Sequence, residues 1–73
     1  MDIRARLGRN VRHYRHVKGL SQEALAEEAG IHRTYVSDVE RGSRNPTIVV
    51  VEKLAIGLGV SASDLLAAAL PGP

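Results

Sequence analysis

Glycines and helix-capping residues divide this chain of 73 residues into short helical segments. Glycine readily adopts the left-handed backbone conformation that ends many helices. Gly19, Gly30, Gly42 and Gly59 each separate stretches with apolar residues at helical spacing, and Pro46 precedes another such stretch. The β-branched run at residues 48–51 continues with helical spacing, so it is assigned to a helix rather than a strand. The sequence therefore predicts an all-α fold.

Five helices are predicted from these signals, and each has a start or stop in the sequence. The first helix runs from about Asp2 to Lys18, and the second lies between its cap Ser21 and Gly30. The third runs from about Arg33 to Arg41 after His32, and the fourth lies between its cap Thr47 and Gly59. The fifth begins at Ser61, which forms a capping box with Asp64, and fades into the alanine-rich end.

The apolar residues of each helix form a stripe that is expected to build one core. These residues are Ile3, Leu7, Val11 and Tyr14 on the first helix, Leu25, Ala26 and Ala29 on the second, Val36 and Val39 on the third, Ile48, Val51, Leu54, Ala55 and Leu58 on the fourth, and Leu65 and Leu66 on the fifth.

Length and composition limit what such a chain does. Seventy-three residues predict a single domain, with a core at about residues 3–66 and a short tail at 67–73. A chain this short buries only about 60% of its unfolded surface, which leaves no room for an enclosed cofactor cavity. It has no cysteine, so disulfides and thiolate metal sites are excluded. No cofactor is expected, and the lack of a signal peptide or a membrane span predicts a cytoplasmic protein.

The net charge is only +2, but the cationic side chains crowd the first quarter of the chain. They are Arg4, Arg6, Arg9, Arg12, Arg15 and Lys18. This pattern has two interpretations: a solvated helix face, or long-range attraction to a polyanion such as the phosphates of a nucleic acid.

The second and third helices carry the main functional signal. Two short helices joined by a tight glycine-containing turn at Gly30 form a helix-turn-helix. The outer face of the third helix carries hydrogen-bonding side chains close to its start, where DNA-binding proteins place the residues that read bases in the major groove. The predicted base-reading residues are Arg33, Thr34, Ser37 and Asp38. The alternative for such a face is an ordinary polar surface.

Several segments resemble the phage-repressor/Cro helix-turn-helix family, also called XRE-type. They are Leu20-Ser21-Gln22-Glu23-Ala24-Leu25-Ala26, Ala29-Gly30-Ile31, Val39-Glu40-Arg41-Gly42, Asn45-Pro46-Thr47, Leu58-Gly59-Val60-Ser61 and Asp64-Leu65-Leu66. Within that family, Arg33-Thr34-Tyr35 and Ser43-Arg44-Asn45 are similar to restriction–modification controller proteins. The resemblance covers about residues 3–66 and implies a phage-repressor-like domain of five helices.

The resemblance also implies roles for individual residues. Arg33, Thr34, Ser37 and Asp38 correspond to base-reading positions, and Asp38 would accept from a cytosine amino group or pair with Arg33 in free protein. Phosphate contacts are implied for Gln22, Arg41, Ser43, Arg44 and Asn45, and Tyr35 would lean toward the DNA backbone or a base edge. His32, the predicted cap of the third helix, departs from the family's usual small polar residue and would also contact a phosphate. Arg15 and Glu40 correspond to a partly buried ion pair with a structural role. The other arginines of the first helix are expected to supply long-range attraction rather than specific contacts.

Apolar residues beyond the core stripes predict a homodimer. Val49 and Ile56 point away from the core stripe of the fourth helix, and Ala69 and Leu70 extend the apolar surface beyond the fifth. Scattered surface hydrophobes are the alternative. The family pairs through its last helices, and two recognition helices read two half-sites one turn of DNA apart, about 34 Å.

Enzymatic and metal-binding functions are weaker interpretations. His13 and His16 have the spacing of a ligand pair, but no third ligand accompanies them, so no metal site is predicted. Serine, histidine and aspartate occur without the strand–turn–helix that presents a nucleophile, so no catalytic residue is expected.

The function predicted overall is a sequence-specific regulator of transcription. It would bind a palindromic or pseudopalindromic operator on double-stranded DNA as a homodimer, without membrane or small-molecule effector, and would associate with the nucleoid when bound. The alternative is a protein-interaction module such as an antitoxin that also regulates its own synthesis, because one fold serves several functions.

Overall fold

The computed structural model describes residues 1–71 and contains only helices and connecting turns in that range. Gly72 and Pro73, the end of the predicted tail, lie outside the described residues. The helices are α1 (Ile3–Val17), α2 (Gln22–Ala29), α3 (Arg33–Glu40), α4 (Ile48–Leu58) and α5 (Ala62–Leu66). The predicted all-α fold is confirmed.

Side chains at the predicted positions cap the helices. Ser21 accepts from the amide of Ala24, and Thr47 accepts from the amide of Val50. Ser61 and Asp64 form the reciprocal capping box of α5, and the hydrogen bonds from Ser61 lower the pKa of the Asp64 carboxyl. At the start of α1, hydrogen bonds from Arg4 lower the pKa of Asp2 to about 2. These contacts are local, so they follow directly from the sequence.

The core lies where the five helices meet. Its largest fully buried side chains are Leu25, Leu54, Leu65, Val11, Val36, Val39 and Asn10. All of the predicted core residues of α2 and α3 are buried, as are Val51, Leu54, Ala55 and Leu58 of α4.

Two predicted core residues are instead exposed. Ile48 is 85% exposed and Ile3 is 53% exposed. Both lie in the first turn of a helix, α4 and α1 respectively, and line an open apolar groove with Pro46 and Leu66. The periodicity placed both residues on the correct stripe, but the stripe extends past the edge of the core at the helix ends.

Gly8 sets the distance between α1 and α3. A Cβ at this position would lie 2.7 Å from the carbonyl oxygen of Glu40 and would also clash with the carbonyl of Val39. The backbones of the two helices therefore approach each other at Gly8 more closely than any other residue allows. In the sequence, this glycine is simply a weak position in a helix.

Asn10 and Arg9 hold the end of α5. The amide of Asn10 is buried and its Nδ2 donates to the carbonyl oxygens of Leu65 and Ala67, each at 2.9 Å. Arg9 donates to the carbonyls of Ala67 and Ala68. These donors satisfy carbonyls that have no partner at a helix end. Arg9 therefore makes specific contacts within the protein, and α5 ends at Leu66, where the alanine-rich segment begins.

Candidate nucleic-acid interface

The turn between α2 and α3 is built around Gly30. Its φ of 69° lies in the left-handed region, where a Cβ would be strained. The chain then reverses so that the amide of Ile31 donates to the carbonyl of Ala26 at 3.0 Å. Ala26, on α2, is buried in the core. This arrangement braces α3 against α2 while leaving the opposite face of α3 unpacked.

Glu40 connects three helices. Its side chain is 2% exposed and accepts from Arg15 Nε at 2.6 Å and Arg15 Nη2 at 3.0 Å. Arg15 also donates to the carbonyl of Leu20, and its hydrogen bonds to Glu40 raise its pKa above the usual range. Gln22 Nε2, at the first residue of α2, donates to Glu40 Oε1 at 3.2 Å. The ion pair therefore fixes α3 against α1 and also orients Gln22.

The predicted base-reading residues lie on the outer side of α3. Arg33 and Thr34 are exposed, while Ser37 and Asp38 are half-buried. The buried residues of this helix, Val36, Val39 and Glu40, occupy the opposite side. The predicted cap His32 also functions as one, because its Nδ1 accepts from the amide of Thr34 at 3.1 Å.

Asp38 pairs with two arginines that follow it, and not with Arg33 as expected. Its Oδ1 accepts from Arg41 Nη2, and its Oδ2 accepts from Arg44 Nε at 3.3 Å. The reason is geometric: Arg41 is one helical turn after Asp38, and the turn at Gly42 brings Arg44 back to the same side. Arg33 lies five residues earlier, about 140° around the helix axis from Asp38, so the two side chains point away from each other.

The remaining predicted phosphate contacts surround this cluster. The guanidinium of Arg44 stacks over the ring of Tyr35, 4.4 Å from its centroid. The amide and hydroxyl of Ser43 both donate to the Asp38 carbonyl at 3.0 Å. Ser43, Arg44 and Asn45 are exposed, so the segment after α3 presents polar and cationic groups beside Asp38 and Tyr35.

The apolar residues predicted for a dimer interface, here called the apolar patch, are exposed. Val49 and Ile56 of α4 are 60% and 69% exposed, while Ala69 and Leu70 are exposed in the segment after α5. The hydrogen bonds of Arg9 to Ala67 and Ala68 hold that segment against α1.

Neither a cluster of metal ligands nor a membrane-spanning helix is present among residues 1–71. No three or more histidine, cysteine, aspartate or glutamate side chains come together in a way that would hold a metal ion. Over the same range, every helix is too short or too polar to cross a bilayer. His13 packs edge-on against Tyr14.

The helix-turn-helix family matches residues 12–65 of this sequence, which include the α2–α3 pair and Glu40. The chain belongs to this family. The resemblance to XRE-type proteins is thereby confirmed, and the control proteins described next confirm the resemblance to restriction–modification controllers.

The similar proteins include control proteins and a transcription factor. Control protein C.SmaI of Serratia marcescens is 50% identical over 66 residues, which cover 90% of this chain and 79% of the relative. The crystal structure of the hypothetical transcription factor NHTF from Neisseria superposes with a TM-score of 0.87 and 50% identity, covering 90% of this chain and 76% of that one. The restriction-modification controller protein C.AhdI from Aeromonas hydrophila gives a TM-score of 0.82 and 44% identity, covering 85% and 94% of the two chains.

These likenesses define the class of protein. The protein is a member of a family of DNA-binding transcriptional regulators, and its relatives include restriction–modification control proteins. The relatives are regulators and not enzymes, which agrees with the prediction from the sequence.

The contacts that Asn10, Gly8 and Arg9 make within the fold were not predicted from the sequence. Asn10 lies three residues after Leu7 and next to Val11, so a polar amide interrupts the apolar stripe of α1. A polar residue on a buried stripe requires hydrogen-bond partners, and this was the available signal. No such signal marks Gly8, because its role depends on which helix crosses α1.

Proposed function

We propose that the protein is a sequence-specific regulator of transcription that binds double-stranded DNA as a homodimer, with α3 in the major groove of each operator half-site. The observation that carries this proposal is the accessibility of α3. Arg33 and Thr34 stand exposed in its first turn, while its buried side is locked to α1 and α2 through Val36, Val39 and Glu40. A rigid helix with a free polar N-terminal face has the shape and chemistry of a major-groove reader.

Within this proposal, base contacts come from Arg33, Thr34, Ser37 and Asp38. An arginine pairs with the two acceptors of guanine, and a threonine methyl packs on the methyl group of thymine. Phosphate contacts flank these residues and set the position of the helix. The residues proposed for them are Gln22, His32, Tyr35, Arg41, Ser43, Arg44 and Asn45.

A homodimer is supported by the apolar patch on α4 and the segment after α5. Val49 and Ile56 each expose more than half of their surface to solvent, which is costly for two large aliphatic side chains on one helix face. A twofold axis through this patch would make the operator palindromic or pseudopalindromic. Ala69 and Leu70 would add to the same interface. A protein of this type would work in the cytoplasm and would associate with the nucleoid.

The test is selection of bound fragments from random duplex DNA, followed by titration of the selected duplex in a salt series. We expect two inverted half-sites about 34 Å apart, and log K that falls linearly with log salt. Sedimentation of the complex would give two chains per duplex. Selection of no consensus, together with no measurable binding at low salt, would exclude this function and favour a protein-interaction module.

A further inference from the structure

Asp38 is the one acidic side chain proposed to face the DNA, and its carboxylate is fully engaged in the free protein. Both of its oxygens accept from arginines, Oδ1 from Arg41 and Oδ2 from Arg44. Only 19% of its side chain is exposed, whereas Arg41 and Arg44 are 59% and 46% exposed. The Asp38 carboxylate therefore binds both Arg41 and Arg44, the two arginines that are proposed to contact DNA phosphates.

The surrounding contacts keep both arginines on this carboxylate. Arg41 also donates to the hydroxyl of Ser37, and Arg44 stacks on Tyr35. Ser43 binds the Asp38 carbonyl through both its amide and its hydroxyl, which holds the segment carrying Arg44 close to α3. The arginines are thus oriented toward Asp38 by several independent groups.

A phosphate that binds Arg41 or Arg44 meets a competing anion. It must either displace the carboxylate, which breaks an ion pair, or lie beside it, where like charges repel. The free-energy cost depends on what the displaced carboxylate then contacts. A cytosine amino group in the major groove can donate to it, whereas a sequence with another base in that position leaves it without a donor.

We propose that Asp38 is a specificity-determining residue that acts against non-specific DNA by holding Arg41 and Arg44 as their counter-ion. The inference rests on the proposed function of α3 and deepens it. On the operator, a base donor replaces the lost arginine contacts, so the cost is offset. On other sequences the free-energy cost of displacing the carboxylate remains, so the contacts of Arg41 and Arg44 with phosphates are weaker. Discrimination thus comes from a penalty on wrong sites as well as from contacts to the right one.

The test compares Asp38→Asn with Glu27→Gln, which removes one negative charge from an exposed position on α2. Each variant and the wild-type protein are titrated against the selected operator duplex and a scrambled duplex of the same length and composition, over a salt series. Asp38→Ala serves as a second variant, because asparagine itself can bind adenine. Thermal unfolding of each variant shows that it is folded.

We expect both Asp38 variants to bind the scrambled duplex about five- to tenfold more tightly than wild type, because two exposed ion pairs no longer compete with the phosphates for the arginines. Their salt slope on that duplex should steepen by about one. Operator affinity should not rise, because the base contact of Asp38 is lost together with its competition for the arginines, so the ratio of operator to scrambled affinity falls. Glu27→Gln should leave the ratio unchanged.

Two results would overturn the inference alone. Asp38 variants with the same affinity ratio as Glu27→Gln would show that only net charge matters. Variants that bind both duplexes more weakly would show that Asp38 orients the arginines for phosphate. If wild-type protein itself binds neither duplex in a salt-dependent way, the proposed function fails and the inference fails with it.

Discussion

Arg15 and Glu40 form a two-point ion pair between α1 and α3, with Nε to Oε2 at 2.6 Å and Nη2 to Oε1 at 3.0 Å. Because Gln22 also donates to Glu40, the same carboxylate positions the proposed phosphate contact at the start of α2. Arg15 therefore has a structural role, because its side chain joins α1 to α3.

Arg15→Ala should lower the free energy of unfolding by about 3–5 kcal/mol, because Glu40 then stays buried without its main partner. The measurement is urea unfolding at fixed protein concentration. The double variant Arg15→Ala, Glu40→Ala should cost less than the sum of the two single variants, since no unpaired charge remains. A cost for Arg15→Ala below about 1 kcal/mol would mean that the pair behaves as a solvent-exposed one.

Gly8→Ala should destabilise the protein by about 1–3 kcal/mol, although alanine favours a helix more than glycine does. The added methyl group would collide with the carbonyls of Val39 and Glu40, which are backbone atoms of another helix. Gly57→Ala is the matched control: its Cβ would lie 3.2 Å from Leu25 Cδ1, a side-chain atom that can move. Thermal unfolding should show a larger loss at Gly8, and an equal loss at both sites would argue against a backbone collision.

Arg33→Ala and Arg44→Ala should have different effects on DNA binding. Loss of Arg33 should reduce discrimination between operator and random DNA by about 1–3 kcal/mol, because a bidentate base contact is removed. Loss of Arg44 should weaken binding to the operator and also to random DNA, and should reduce the salt slope by about one. Titration of both duplexes in a salt series separates the two effects. Identical behaviour of the two variants would contradict the division between base-reading and phosphate contacts.

Val49→Glu or Ile56→Glu should give a folded monomer with weak operator affinity, because a charge buried in an apolar interface is costly. Val17→Glu is the control, since Val17 is a large aliphatic residue that is 72% exposed on α1, outside the proposed patch. Sedimentation equilibrium measures the association, and circular dichroism checks folding. An intact dimer for both α4 variants would place the interface elsewhere.

Helix boundaries could be predicted from the sequence because their causes lie within a few residues of one another. Ser21, Thr47 and Ser61 bind amides of the turn that follows each of them, and Gly30 and Gly59 end α2 and α4 in the left-handed conformation. The glycine turn between two short helices likewise predicted which side of α3 faces outward. These signals depend on local chemistry and on helical periodicity.

The sequence by itself therefore determined the five helices, their order and the polar outer face of α3. Only the tertiary structure decided which distant groups meet: Gly8 with the backbone of α3, Asn10 with the carbonyls at the end of α5, and Arg44 with Asp38. It also decided that Ile3 and Ile48 lie at the edge of the core. The physical reason is that capping and periodicity act within a helical turn, whereas these contacts depend on how separate helices cross.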